Sequence, residues 1–233
     1  EDTLSTMFHL VGDLDSAGDS VEAVRVGREC LAVRRRLLGE EHQDTMDTMH
    51  ILALVMSQAG EHEAAVGMGR QCLALRQRIL GEEHEHTLHT MFILVSALVH
   101  GGEHAAEAVR VSRELLALEQ RVEGEEHPTT LSTMSLTAWA LDCAGQHEEA
   151  VRMAQDNLAL RQRTSGEQCM ETYCARIILS MVLLAADRPE ECVHMHRQTL
   201  ELWGPGKRKR LQQTLAEVDQ AAAAVDKIVA KLW

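Results

Sequence analysis

Histidines, cysteines and paired glutamates are the residues of this chain that could do chemistry, and they recur at fixed intervals. His42, His84 and His127 each close a Gly-Glu-Glu-His run, and His62, His104 and His147 form a second equivalent set. Imidazole beside carboxylate suits a zinc centre or general acid–base catalysis. A shared zinc ion fails on distance. Equivalent positions on neighbouring packed helices lie about 10 Å apart, whereas a ligand atom must come to about 2 Å from the metal. His84-Glu85-His86 with His89 is the only local cluster, and His194 and His196 point to different faces of a helix. No metal and no other cofactor is expected.

Catalysis finds no better support. Neither a Ser-His-Asp nor a Cys-His arrangement stands in a supporting motif, and phosphate-loop and dinucleotide fingerprints are missing. The Glu-Glu pairs repeat where catalysis needs a single copy. Met7, Met49, Met91 and Met134 recur as a core stripe rather than as thioether ligands. The cysteines (Cys30, Cys72, Cys143, Cys169, Cys174, Cys192) show no CxxC. Cys30 and Cys72 share a repeat position held elsewhere by Leu115, Asn157 and Thr199, which fits small core-facing thiols in a reducing compartment. The chain is not expected to be an enzyme.

What positions these residues is a repeat. Leu38-Gly39-Glu40-Glu41-His42 returns as Leu80-Gly81-Glu82-Glu83-His84, as Glu123-Gly124-Glu125-Glu126-His127, and in worn form as Ser165-Gly166-Glu167-Gln168-Cys169, at spacings of 42, 43 and 42 residues. A constant period of this size marks an array. Five copies follow, near 1–42, 43–84, 85–127, 128–169 and 170–203. Thr3, Thr45, Thr87, Thr130 and Thr172 open them and read as helix N-caps, with the acidic pairs just upstream near the positive end of the dipole. A first helix of about 14 residues carries one apolar face, as in Met46, Met49, Leu52, Ala53 and Met56. Gly18, Gly60, Gly102, Gly145 and Asp187 stop it. A second helix follows, with a stripe in the first copy of Val21, Val24, Cys30, Leu31 and Leu37 around the small Ala23 and Gly27. Its last turn is cationic in four copies (Arg34-Arg35-Arg36, Arg76 and Arg78, Arg121, Arg161 and Arg163), which complements the helix C-terminus. The fold class is all-α: a solenoid of about five helix-turn-helix repeats.

Composition agrees. Apolar residues make up 45 % of the 233 but aromatics only 3 %, so the core is aliphatic, and three prolines in the whole length suit helix. The formal net charge is −13: residues 207–233 carry six basic and three acidic side chains, leaving 17 basic against 33 acidic on the first 206. A body this acidic repels polyphosphate, so nucleic acid is not an expected partner. Lys207-Arg208-Lys209-Arg210 reads as a solvated helix start, with a nuclear-import patch as the alternative. No apolar run reaches membrane-spanning length and no signal-peptide pattern opens the chain. The expected setting is intracellular and cytoplasmic, or an organelle if a targeting segment preceding Glu1 has been removed.

The repeat resembles a known family. Ala23, Ala65, Ala108 and Ala150 hold the small position of the second helix, and Leu10, Leu52 and Leu94 the leucine of the first, with Ala53 and Ala138 in the small position after it, as in tetratricopeptide (TPR) repeats. The Leu-Gly-Glu-Glu-His joint and runs such as Leu73-Ala74-Leu75-Arg76-Gln77-Arg78 look like the kinesin light chain subclass, over residues 1 to 203. The resemblance implies a scaffold whose first helices line a concave groove. Kinesin light chain repeats carry paired asparagines on that face. Here the matching pairs are Phe8-His9, His50-Ile51, Phe92-Ile93, Ser135-Leu136 and Ile177-Ile178, so recognition of acidic-tryptophan cargo is not carried over.

The groove face then reads Phe8, Gly12, Asp15; His50, Leu54, Ser57; Phe92, Ser96, Val99; Ser135, Trp139, Asp142; and Ile177, Met181, Leu184. An apolar wall of this kind marks a binding surface, and Phe8, His50, Leu54, Phe92, Val99, Trp139, Met181 and Leu184 are the expected partner-binding residues, with Phe92 and Trp139 as anchors. Some of these side chains can instead turn into packing between repeats, above all Phe8 and Ile177. After the Gly204-Pro205-Gly206 turn, Leu211, Leu215, Val218, Ala222, Val225, Val229 and Leu232 give a heptad stripe, so 207–233 reads as a long amphipathic helix. That helix can cap the last repeat, fill the groove or pair with another chain. The expected function is a non-catalytic scaffold binding a helical or extended apolar segment of a partner protein. The alternative is a structural subunit held in a larger, possibly organellar assembly through its convex face, loops and C-terminal helix.

Overall fold

The three- and four-residue apolar spacing builds helices throughout. The computed structural model describes residues 2–102 and 104–202, of which Asp2, His196 and 198–202 are described by backbone alone. They form α1 (Asp2–Ser16), α2 (Ser20–Leu38), α3 (Gln43–Gln58), α4 (His62–Leu80), α5 (Glu85–Gly101), α6 (Ala105–Val122), α7 (Pro128–Cys143), α8 (His147–Ser165), α9 (Met170–Ala185) and α10 (Pro189–Leu202), with no strand among the described residues. Each helix packs on the next, and each odd helix also packs on the next odd one, from α1 to α9. The odd layer is therefore the inner, more closely spaced layer of a curved stack. The Gly-Pro-Gly turn and the amphipathic segment 207–233 lie outside the described residues.

The joints differ from expectation in one respect. Histidine, not threonine, is the N-cap: Nδ1 of His42, His84 and His127 accepts the backbone N–H of Asp44 (3.2 Å), His86 (3.2 Å) and Thr129 (3.4 Å). The sp² ring nitrogen reaches the donor that a Ser or Thr oxygen would otherwise take, so each helix begins two residues ahead of its threonine. Thr45, Thr87, Thr130 and Thr172 then sit in the first turn, fully buried. The hydroxyls of Thr130 and Thr172 donate to the carbonyls of Gly124 and Gly166 at 2.8 Å, tying that turn back to the joint. Thr3 lies exposed inside α1. At the other end Gly39, Gly81 and Gly166 cap even helices at φ 89°, 94° and 84°, a region open to glycine. Asp187, at φ 58°, takes the turn position that glycine fills in the other hairpins.

Across each joint, small residues on an even helix admit the leucine of the next odd helix. A Cβ on Gly27 would stand 2.9 Å from Leu52 Cδ1, and one on Gly69 would stand 3.3 Å from Leu94 Cδ1. The buried arc of α2 runs through Ala23, Val24, Val26, Gly27, Cys30, Leu31 and Arg34. Val21 and Leu37, expected on it, are 76 % and 62 % exposed. They lie off the arc because the stripe turns inward at Val26 and Arg34 instead.

The last-turn arginines fall into two kinds. Arg78 and Arg121 reach back to Glu41 and Glu83 of the preceding joint at 2.8 and 2.5 Å, and Arg163 pairs likewise with Glu126, all with both partners exposed. Arg34, Arg76 and Arg161, one per repeat at equivalent positions, are only 4, 2 and 6 % exposed. Arg34 donates through one nitrogen to the Asp44 carbonyl and the Thr48 hydroxyl, both at 2.7 Å. Arg76 does the same to the His86 carbonyl (2.9 Å) and Thr90 (2.7 Å), and pairs with Asp47. Arg161 bonds Asn157 and Ser132, each at 3.2 Å. Such contacts offset the burial of a guanidinium, although Arg34 Nε stays unpaired, and each arginine ties its even helix to a neighbouring odd one. Arg76→Ala is expected to cost about 3 kcal/mol, because it strands buried acceptors and Asp47. Arg78→Ala should cost less than about 1 kcal/mol. Urea midpoints of the two variants measure the difference, and equal shifts would contradict the distinction.

Candidate functional site on the inner wall

The odd helices place the expected groove residues in three rows, and burial separates them. Phe8, His50, Phe92 and Ile177 are half-buried, as are Leu54, Trp139 and Leu184, while Met181 is 49 % exposed. Val99 is the exception, at 3 % exposed within the hydrophobic core. Its equivalents Asp15, Ser57 and Asp142 are polar and stay partly exposed. Val99 turns into the packing between repeats and supports the wall without facing a partner, whereas Leu184, at the same position in α9, stays half-buried. Ser135 is also buried, as the acceptor of an Asn157 amide hydrogen at 2.5 Å.

Two groove aromatics are already engaged by the chain itself. The Arg34 guanidinium carbon lies 5.1 Å from the centroid of the Phe8 ring, a cation–π arrangement. Trp139 packs edge-on against His100 at 4.7 Å between centroids. His50 stands 4.8 Å from His89 and 3.4 Å from the Thr90 hydroxyl. Burial, followed by the neighbouring His89 and Arg76, holds its pKa down to about 3, so His50 is a neutral wall residue.

One joint breaks the arginine series. Position 119, equivalent to Arg34, Arg76 and Arg161, is a glutamate at the end of α6. Glu119 is 5 % exposed, and neither its Oε2 nor the buried Thr133 hydroxyl has a well-formed hydrogen bond, although the two lie close enough for Thr133 to favour the charged carboxylate. Beside it lies a cavity of about 440 Å³ lined by Glu85, Leu88, His89 and Phe92 of α5, by Glu119, Glu123 and His127, and by Pro128, Thr129 and Ser132 of α7. Burial pushes the Glu119 pKa up to about 7, with Thr133 working against the shift and Glu123 adding to it. His89 is held below the usual imidazole range by burial, then by Arg76 and His86, so it supplies little positive charge. Sequence reasoning passed over Glu119, although the sequence shows its departure from an arginine series.

The arrangement can accept hydrogen bonds and positive charge. Among the described residues no group of three or more His, Cys, Asp or Glu is disposed to hold a metal ion. The raised pKa carries a consequence for stability. A folded-state value of about 7 against an ordinary 4.5 means that the carboxyl's contribution is fully present below pH 4.5 and is lost as pH rises through 7. Glu119→Gln should therefore stabilise the chain above pH 7, by up to about 3 kcal/mol at 1.36 kcal/mol per unit, and the gain should shrink towards pH 4.5. Urea titrations across that range measure it, and parallel pH profiles for parent and variant would contradict it.

The family described as tetratricopeptide repeat matches residues 2–78 and 105–163. No curated protein matches the chain. Among solved structures, a single-residue variant of the nearly identical TPR-like repeats from Podosopora anserina, described as a kinesin light chain, is 22 % identical with a TM-score of 0.76, over 92 % of this chain and 97 % of that one. BtubC from P. vanneervenii is 18 % identical with a TM-score of 0.68, over 91 % and 80 %. A Rap protein complexed with Competence and Sporulation Factor is 10 % identical with a TM-score of 0.66, over 96 % and 67 %. These likenesses concern fold. The chain belongs to the tetratricopeptide repeat family.

Proposed function

We propose that the chain is a non-catalytic scaffold that binds a helical or extended apolar segment of a partner protein along the inner wall. The observation that carries this reading is the line of half-exposed apolar side chains, Leu54, Phe92, Trp139 and Met181, on four successive odd helices. Such a line spans several turns of a bound segment and offers pockets for its anchors. The family supports a protein-interaction role in general, and one neighbour in fold is complexed with Competence and Sporulation Factor. The acidic body favours a neutral or cationic partner over nucleic acid. No described helix is long and apolar enough to cross a membrane.

A second reading has its own support. Leu37, Ile79 and Val122 occupy equivalent positions at the ends of even helices and are 62, 41 and 47 % exposed. A row of exposed apolar residues along the joints suits a subunit held in an assembly by its convex side and loops. The two readings part on substitution. Phe92→Asp and Trp139→Asp, placing a charge on the wall, should each weaken partner retention at least tenfold while the helical circular dichroism stays that of the parent. Quantitative co-purification of the full chain and the two variants measures this. Retention unchanged in both, but lost on Leu37→Asp with Ile79→Asp, would establish the assembly reading instead.

A further inference from the structure

The cavity beside Glu119 repeats a cation site from which the cation is missing. In the first repeat the guanidinium of Arg34 lies under the Phe8 ring and donates to a helix carbonyl and to Thr48. Every element of that site but the arginine itself recurs two repeats on. Phe92 is the equivalent of Phe8, Thr133 of Thr48, and Thr129 of Asp44, whose carbonyl takes the second bond. Only the arginine is replaced, by Glu119, and the space by the ring is open, with Phe92 and Glu119 both lining it. Glu119 Oε2 and, behind it, the Thr133 hydroxyl are buried with no well-formed hydrogen bond to any other group, Thr133 lying close enough to favour the charged carboxylate. Glu85 and Glu123 also line the cavity, Glu123 already accepting the Thr129 hydroxyl and lying 2.7 Å from His127 Nδ1.

We propose that this cavity is a subsite for a guanidinium group, and that its occupant is an arginine side chain of the partner polypeptide lying along the inner wall. A planar guanidinium suits the site better than an ammonium, because it can pair with a carboxylate through two donors and lie flat against an aromatic ring. The partner fits by charge as well as by shape. Phe92 belongs to both the apolar wall and the cavity, so a segment seated on the wall carries its arginine directly to Glu119. The acidic body draws such a segment in. The arginine supplies from outside what Arg34 and Arg76 supply from within at their joints. This assignment rests on the inner-wall reading of function and specifies the chemistry of its ligand.

The test uses the full chain and N-acetyl-arginine amide as probe, followed by chemical-shift perturbation, with N-acetyl-citrulline amide as the neutral isostere. Saturable binding is expected, with perturbations centred on Glu119, Phe92 and Thr133. Affinity should fall at least tenfold for citrulline amide and for Glu119→Gln, and a few-fold for Phe92→Leu. No saturation up to the solubility of the probe, or equal binding to Glu119→Gln, would overturn the subsite. The probe carries no apolar segment, so Trp139→Asp should leave its affinity unchanged while lowering partner retention. Probe binding without any effect of Trp139→Asp on retention would retain the cavity and overturn the wall reading. The reverse would retain the wall and overturn the cavity. In a full chain with Lys207, Arg208, Lys209 and Arg210 all changed to Gln, affinity should be unchanged. A marked gain would show that the chain's own basic run occupies the site and would overturn the partner as occupant.

Discussion

A buried arginine at the joint between repeats is the interaction on which the rest of this array depends. Aliphatic packing alone holds two helices at any of several small sliding offsets, because leucine and methionine faces are alike along their length. A guanidinium surrounded by a carbonyl, a threonine hydroxyl and a carboxylate has one position. Arg76 therefore fixes α4 against α3 and α5 at once. The same logic makes the position intolerant of a half-measure, since a buried ion without its partners costs more than it returns. That is why Glu119 stands out: it places a carboxyl where the array is built to hold its opposite.

Architecture and function meet at that joint. The three arginines that complete their sites close the stack between layers, and Arg34 also uses Phe8, so the first of the wall aromatics is spent internally. In the third repeat the aromatic and the acceptors remain while the internal cation does not. The inner wall thus combines two kinds of recognition. Leu54, Trp139 and Met181 offer apolar contact of low directionality, and the Glu119 cavity offers a directional, charged one. Affinity from the first and register from the second is a common division in peptide recognition.

The sequence made the period, the paired helices and the aliphatic core legible, because each rests on spacing that survives in every copy. It misled where two residue types could fill one role. Thr45 and His42 can both accept a backbone N–H, and only the helix start at Gln43 shows that histidine does so while threonine packs inward. Helical phase places Val99 on the wall, yet its side chain is buried in the packing between repeats, while Leu184 at the same phase is only half-buried. In the sequence the last-turn arginines all read alike, as positive charge complementing a helix C-terminus. Burial separates Arg76 from Arg78, and no one-dimensional pattern carries burial for a residue type that is rarely inside. The register of the exchange at Glu119 was visible, but its meaning required knowing that the position faces inward.

The most direct measurement of this account is a crystal structure of the Glu119→Arg variant, in which the missing member of the series is restored. The account predicts that the new guanidinium lies beside Phe92 and donates to the Thr129 carbonyl and the Thr133 hydroxyl, closing the cavity as Arg34 and Arg76 close theirs. A guanidinium turned out to solvent, with the cavity still open and Thr133 unpaired, would contradict it.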